Sequence, residues 1–254
     1  MLRTLCTAAA ITLAAGFSGT ALAQDGAHPH WSYGGHTGPS HWGTLEKEYA
    51  ACASGHAQSP IDIHSAGAKK TDLPEIQFAY KPSPLTIVDN GHTVQVNYAP
   101  GSFISVGDKQ YELVQFHFHK PSEERINGKP YDMVAHLVHK DADGKLAVVA
   151  VLLKAGHTNP FIRTLWDNLP KAKETDVVRN DVSINAADLL PKSTGYYTFA
   201  GSLTTPPCSE GVTWFVLRDA SPVSAQQVAR FGKLYPMNAR PIQSLHGRTV
   251  AASR

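Results

Sequence analysis

The sequence predicts a single β-dominated α+β domain with peripheral helices, preceded by a cleavable export leader. Three observations carry this. Apolar residues recur with period two far more often than with period 3.6, turn dipeptides cut the chain into short runs, and no linker-like or low-complexity stretch divides it. Of the 254 residues, 42% are hydrophobic and 17% charged, and the formal net charge is +2. The apolar content excludes a disordered chain. A charge so near neutral provides no polycationic surface, so nucleic acid is not an expected partner.

The leader is residues 1–23. Arg3 supplies a short positive start, Leu5 to Phe17 is mostly apolar and uncharged, and Ala21-Leu22-Ala23 has the small-x-small form cut by signal peptidase. The apolar stretch is interrupted by Thr12, Gly16 and Ser18 and falls short of the ~20 residues of a membrane span. The mature chain is expected to begin at Gln24 with no membrane anchor, and its 231 residues suit one domain with a large core.

Strand-like runs follow in order: Leu85 to Val88, Thr93 to Tyr98, Phe103 to Val106, Tyr111 to His119, Met133 to His139, Leu146 to Leu153 and Val212 to Leu217. Asn90-Gly91, Pro100-Gly101, Gly107-Asp108, Asn127-Gly128 and Asp143-Gly144 punctuate them. Helices are expected at Asn159 to Leu169, where Pro160 takes the first helical position, and at Ser224 to Leu234, where Ser224 can cap. A short turn is expected at Ala186 to Leu190. Cys6 leaves with the leader, so Cys52 and Cys208 remain as a pair in an exported, oxidising setting, where a disulfide is expected and two free buried thiols are the alternative.

Chemistry begins at Gln115-Phe116-His117-Phe118-His119. On a strand, alternate side chains share a face, so His117 and His119 point the same way, with Leu113 and Gln115 beside them and Val114, Phe116 and Phe118 opposite. A neighbouring run places Val134, His136 and Val138 on one face and His139 on the other. His136 is then a natural third donor, and three neutral imidazoles leave a fourth zinc position open. Thirteen histidines give chance pairs, so a set of ordinary core and surface histidines is the competing reading.

These residues resemble a known family. The segment 115–119, then Glu123, then His136-Leu137-Val138-His139 is similar to the zinc segment of the α-class carbonic anhydrases. Gln58-Ser59-Pro60-Ile61-Asp62-Ile63, His30-Trp31-Ser32-Tyr33-Gly34, Asn90-Gly91-His92 and Asn238-Ala239-Arg240-Pro241 extend the resemblance over nearly all of the mature chain. The long string Gly201-Ser202-Leu203-Thr204-Thr205-Pro206-Pro207-Cys208 is the most telling match.

The resemblance implies a central, mostly antiparallel twisted sheet of about ten strands, residues 24–254 forming one catalytic domain with zinc in a conical cleft. It implies His117, His119 and His136 as Zn2+ ligands. Thr204 would accept a hydrogen bond from zinc-bound hydroxide and donate to Glu123, Thr205 would position bicarbonate, and His92 would relay protons. Val138, Val148, Leu203 and Trp214 would form the apolar wall for carbon dioxide, and Asn90 and Gln95 would order water on the polar side. Gln115 would support His117, and the backbone near Asn238 would support His119. The implied reaction is reversible hydration of carbon dioxide to bicarbonate and a proton by attack of zinc-bound hydroxide, with a weak esterase side activity. Its partner is a small-molecule substrate, a homodimer is the state family analogy suggests, and the leader points to a periplasmic enzyme, with secretion as the other destination. The bridge Cys52–Cys208 matches the usual one of exported bacterial relatives.

One departure stands out. Most α-class members have Ser-Glu-His where this chain has Ser122-Glu123-Glu124, and Glu two residues before the third zinc histidine, where this chain has Val134. Glu124 is therefore expected to replace the missing carboxylate and bond His136 directly. His28, His30, His36 and His41, near the mature start, are read as solvated surface residues, with auxiliary proton carriers on the cleft rim as the alternative. A cupin metal site shares the His-x-His and Glu spacing, but Tyr111 stands where a cupin needs glycine and Lys129-Pro130-Tyr131-Asp132 lacks its Pro-x-Gly. A binding domain descended from the enzyme usually loses a zinc histidine, and all three are here.

Overall fold

The computed structural model describes residues 30–254; the leader and His28 lie outside them. Sixteen strands appear in order: β1 Asp62–Ile63, β2 Lys69–Thr71, β3 Ile76–Ala79, β4 Ser83–Asp89, β5 Val94–Asn97, β6 Phe103–Val106, β7 Lys109–His119 and β8 Arg125–Ile126, then β9 Lys129–Pro130, β10 Met133–Lys140, β11 Leu146–Ala155, β12 Asp176–Ile184, β13 Tyr196–Ser202, β14 Glu210–Leu217, β15 Ser221–Val223 and β16 Ala251–Ser253. Four helices accompany them: α1 Trp42–Leu45, α2 Ala51–Ser54, α3 Pro160–Asp167 and α4 Ala225–Leu234. A ten-strand path runs β12-β4-β5-β7-β10-β11-β14-β13-β16-β2, with β3, β6 and β15 attached, while β1, β8 and β9 form a small separate sheet. Along the path only β11–β14 and β16–β2 pair parallel.

Every strand-like run of the sequence falls on a strand of the sheet. Both long helices start where the caps predict. Asn159 accepts from the Ile162 N–H, and Ser224 forms a reciprocal capping box with Gln227. The turn at 186–190 is a 3-10 helix, Ala186–Leu189. The short helices α1 and α2 and the strands β12, β13 and β16 go beyond the sequence expectation. β12 is an edge strand whose Asp176, Arg179 and Asp181 leave no apolar alternation to read, and such charges are what an exposed edge carries.

One expectation is corrected. On β7 the alternation predicted Leu113 beside the histidines and Val114 in the opposite core. Instead Leu113 is buried with Phe116 and Phe118, and Val114 is 41% exposed. The register supplies the reason: Val138 pairs with Gln115 but His139 pairs with Leu113, so Val114 is an extra residue in a β-bulge. A bulge shifts the alternation by one residue, which reverses the faces upstream of it and leaves Gln115 to His119 as read.

The sheet is buried on both sides. One face packs Phe116, Phe118, Leu137 and Val149 against Phe161, Leu165 and Trp166 of α3 and Phe231 of α4. The other gathers Val134, Val148, Ala150, Trp214 and Val216. Burying a large apolar side chain stabilises by about 1.5–3 kcal/mol, and β10 and β11 contribute residues to both faces, so the site is built on the most constrained strands. Cys52 of α2 is bridged to Cys208 with a Cα separation of 5.1 Å. Among the described residues no helix is long and apolar enough to cross a membrane.

Candidate metal centre

Strand pairing assembles the site. His136 lies directly opposite His117 across the antiparallel β10–β7 ladder, and Val134 lies opposite His119. Alternation puts His117 and His119 on the same face, so three imidazoles converge, each offering one nitrogen within 4.8 Å of the others. The same rows extend sideways. Gln95 pairs with His117, while Val138 pairs with Val148 and Val148 with Trp214. A polar flank therefore runs into the histidines from β5, and an apolar flank leaves them toward β14.

Each imidazole is fixed through its far nitrogen. Nδ1 of His119 is 2.8 Å from the Asn238 carbonyl, which can only accept, so the proton is on Nδ1 and Nε2 presents a lone pair. That Nε2 is buried and has no hydrogen-bond partner, as expected of an atom reserved for a metal. His117 Nδ1 lies 2.8 Å from the Gln115 side-chain oxygen, again leaving Nε2 toward the centre. His136 is turned the other way. Its Nε2 lies 3.0 and 3.2 Å from the two oxygens of Glu124, so Nδ1 faces inward.

Electrostatics favour the ligand form of the first two. Burial, then the nearby His136, pulls His117 down to about 3, and burial likewise holds His119 well below its ordinary value. Burial also opposes charge on His136, but Glu124 and Glu123 outweigh it and raise its pKa. Three converging imidazoles, two of them held neutral, an unpartnered buried nitrogen and outer hydrogen bonds on every ring together fit a zinc ion, which would take the place of the proton that Glu124 favours on His136.

Glu123 is buried beside this cluster. Its Oε1 accepts from the Arg240 backbone N–H at 2.7 Å, and its Oε2 lies 3.5 Å from His119 Nε2. Burial raises its pKa to about 7, with Glu124 adding to the rise and His136, the Thr204 hydroxyl and the Arg240 N–H opposing it. Thr204 is buried, and its loop is tied by Leu203 N–H to Ser209 O and by Cys208 N–H to Thr205 O at 2.8 Å. On the apolar flank, Trp214 stacks edge-on to His136 with centroids 4.9 Å apart and donates its indole N–H to Ser202 O. Val138, Val148 and Leu203 pack in the same cluster. On the polar flank, Asn90 donates to Gln95 at 3.3 Å.

His92 sits further out, half-buried, stacked on Trp31 at 3.5 Å and on His30 at 4.7 Å, at a cavity of about 550 Å³. His30, expected as a solvated surface residue, is exposed, and its ring stacks on His92 at the cavity. Arg240 is a site residue the sequence reading did not single out. It holds Glu123 through its backbone while its buried guanidinium donates to Gln58, Ser59 and Cys52. The string 238–241 is visible in the sequence, but only the tertiary fold shows which atoms it serves.

A family model described as eukaryotic-type carbonic anhydrase matches residues 37–254. The chain belongs to that family. It is 43% identical over 224 residues to the carbonic anhydrase of Nostoc sp., covering 87% of this chain and 85% of the relative. It is 42% identical over 250 residues to that of Neisseria gonorrhoeae, covering 98% and 97%. Among solved structures, the α-carbonic anhydrase of Thermovibrio ammonificans in complex with the inhibitor sulfanilamide superposes with a TM-score of 0.85 at 41% identity, covering 89% of this chain and 99% of that one. The strand-rich single domain is the α-carbonic anhydrase fold, and the chain is an enzyme of this family.

Proposed function

We propose that the chain catalyses the reversible hydration of carbon dioxide to bicarbonate and a proton with a zinc ion held by His117, His119 and His136. The observation that carries this is the convergence of three imidazole nitrogens, each oriented by an outer acceptor, directly beside a buried Glu123. Zinc bound there supplies a Lewis acid that makes a water nucleophilic near neutral pH, an effect for which carbonic anhydrase is itself the reference case.

The chain's own residues do the rest. Carbon dioxide carries no charge and little dipole, so the row Val138, Val148 and Trp214, with Leu203, gives it an apolar wall next to the nucleophile. Glu123, fixed by the Arg240 N–H, accepts from the Thr204 hydroxyl, which commits that hydroxyl's oxygen to accepting from the attacking water species and orients it. Thr205 positions the bicarbonate product, and Asn90 and Gln95 order water on the polar flank. His92, at the outer cavity, is the imidazole placed to pass protons from this water to buffer; burial, then His30 and Lys173, hold it down to about 4, so it rests neutral and takes a proton only in passing. Glu124 replaces the usual outer carboxylate on His136, with Gln115 and the Asn238 carbonyl serving the other two ligands.

The same nucleophile would support slow ester hydrolysis. With a leader over 1–23 and the domain over 24–254, the enzyme would work in the periplasm, where the Cys52–Cys208 bridge persists. Stopped-flow carbon dioxide hydration by the chain from Gln24, before and after zinc removal, tests the reading. Fast hydration that vanishes with the metal and returns with zinc is expected. One bound zinc per chain without hydration would overturn it and favour a binding domain.

A further inference from the structure

We propose a second metal site on the surface, a bis-imidazole chelate formed by His56 and His246 that takes a borderline divalent cation such as Ni2+, Cu2+ or Zn2+. The two residues are far apart in sequence and come from different loops, one just after α2 and the other near the chain's end. Their rings meet with centroids 5.0 Å apart and planes at 72°. The chelating pair His117 and His119 has centroids 5.0 Å apart and planes at 74°. The surface pair thus reproduces the ring separation and tilt of two ligands in the zinc triad.

The loops beneath the rings are held in place. Leu245 to Arg248 is a tight turn closed by the Arg248 N–H to Leu245 O bond at 2.9 Å, with positive φ at both central residues, 45° at His246 and 78° at Gly247. Positive φ is uncommon outside glycine, although histidine is among the residues that tolerate it, and here it places the imidazole at the turn's tip. The Arg248 guanidinium donates to Gln58 O at 2.7 Å and to Ser244 O at 2.8 Å, joining the two loops. On the other side, Glu210 accepts from the Ala57 N–H at 2.7 Å, next to His56. A chelate on such a frame loses little freedom when it closes.

The rings themselves are available. Both residues are exposed, and among the described residues neither imidazole has a hydrogen bond to another protein group. Glu210, held low by its bond from Gln58, then by the Ala57 N–H, Arg248 and finally the nearby His56, would set a carboxylate charge beside a divalent cation here. Arg248, the opposing cation, is committed to four carbonyl oxygens. Two imidazoles with water completing the shell suit Ni2+, Cu2+ and Zn2+ rather than Mg2+ or Ca2+.

The test is a Ni2+ titration at mildly alkaline pH of chain already saturated with zinc, by calorimetry, with zinc content assayed throughout. Wild type, His56→Ala, His246→Ala, the double variant and a His64→Ala control are compared. Differences among them read this pair whatever occupies the triad. Either single substitution should weaken one Ni2+ event by about tenfold or more, since removing a ligand must cost at least what removing an outer partner does. The double variant should lose more than either single one but less than the sum of the two losses, because each single substitution already forfeits the gain from chelation, and His64→Ala should match wild type. Single substitutions that leave binding unchanged, or losses that add in the double variant as for independent imidazoles, would overturn the proposal.

Discussion

Replacing Glu124 with glutamine should weaken zinc retention without unfolding the protein. The Glu124 carboxylate receives the His136 Nε2–H at 3.0 Å from one oxygen and 3.2 Å from the other, and both side chains are almost wholly buried. Glutamine keeps an oxygen in reach, so the substitution removes the charge and the second acceptor rather than the contact. Charge-assisted hydrogen bonds are roughly twice as strong as neutral ones, and lost outer partners of metal-bound histidines typically cost about 10–100-fold in affinity. That range corresponds to about 1.4–2.8 kcal/mol. The same carboxylate raises the pKa of free His136, so in the wild type a proton competes with zinc for that ring. Above the His136 pKa this competition disappears, and the variant's deficit should be widest there. As pH falls, wild-type binding loses more than the variant's, and the gap should narrow. Competition against a chromophoric chelator at several pH values measures both effects, with circular dichroism checking the fold. Equal zinc dissociation constants at alkaline pH would refute the reasoning.

Other outcomes follow from the same geometry. His92, stacked on Trp31 and held down to about 4 by burial and then by His30 and Lys173, should titrate well below 6.5 by NMR, and Trp31→Ala should move it up toward that value. His139 is fully buried, bonded to the Tyr80 hydroxyl at 2.8 Å, and burial holds it near 3. The unfolded chain takes that proton near 6.5, so this component of stability is complete above about 6.5 and is lost as pH falls toward 3. His139→Gln should therefore show a shallower loss of urea midpoint between pH 7 and pH 4 than wild type. Replacing Cys52 and Cys208 with alanine opens a loop of sequence separation 156, which the chain-entropy relation converts to about 5 kcal/mol lost in a denaturant melt.

The ligand face was legible because a strand's period of two is exact over short distances. Gln115 to His119 needs only local alternation, and the pairing of His136 with His117 needs only that the two strands be neighbours. Beyond Gln115 the same rule failed, since a bulge at Val114 leaves no mark in the residue types. Leu113 and Val114 are both apolar and β-compatible, and only the partner strand decides which one turns inward. β12 escaped for a different reason. Its half-exposed, charged face satisfies the edge of the sheet without any apolar periodicity. Arg240 belongs to a third class, because its N–H reaches Glu123 across 117 positions and no local pattern encodes that distance.

Glu124 shows how far sequence could go without coordinates. The histidine it serves requires an acceptor on Nε2, for a buried N–H left bare costs about 1–3 kcal/mol. Position 134 cannot supply one, because Val134 lies in the apolar cluster that backs the site. Glu124 reaches the ring instead from the segment just before the strand pair β8–β9, where β8 Arg125–Ile126 pairs parallel with β1 Asp62–Ile63. The small sheet therefore has a chemical consequence. It anchors the residue immediately after Glu124, so the carboxylate that orients the third ligand is held by backbone pairing in a sheet separate from the main one, while Glu123 just before it is held by Arg240. Two adjacent carboxylates are thereby aimed at different nitrogens of one imidazole: Glu124 lies 3.0 Å from Nε2, and Glu123 lies 3.7 Å from Nδ1, on the side where the three ligand atoms converge. Disturbing the β1–β8 pairing should consequently affect zinc affinity through His136 before it affects the other two ligands, whose acceptors, Gln115 and the Asn238 carbonyl, stand on separate supports.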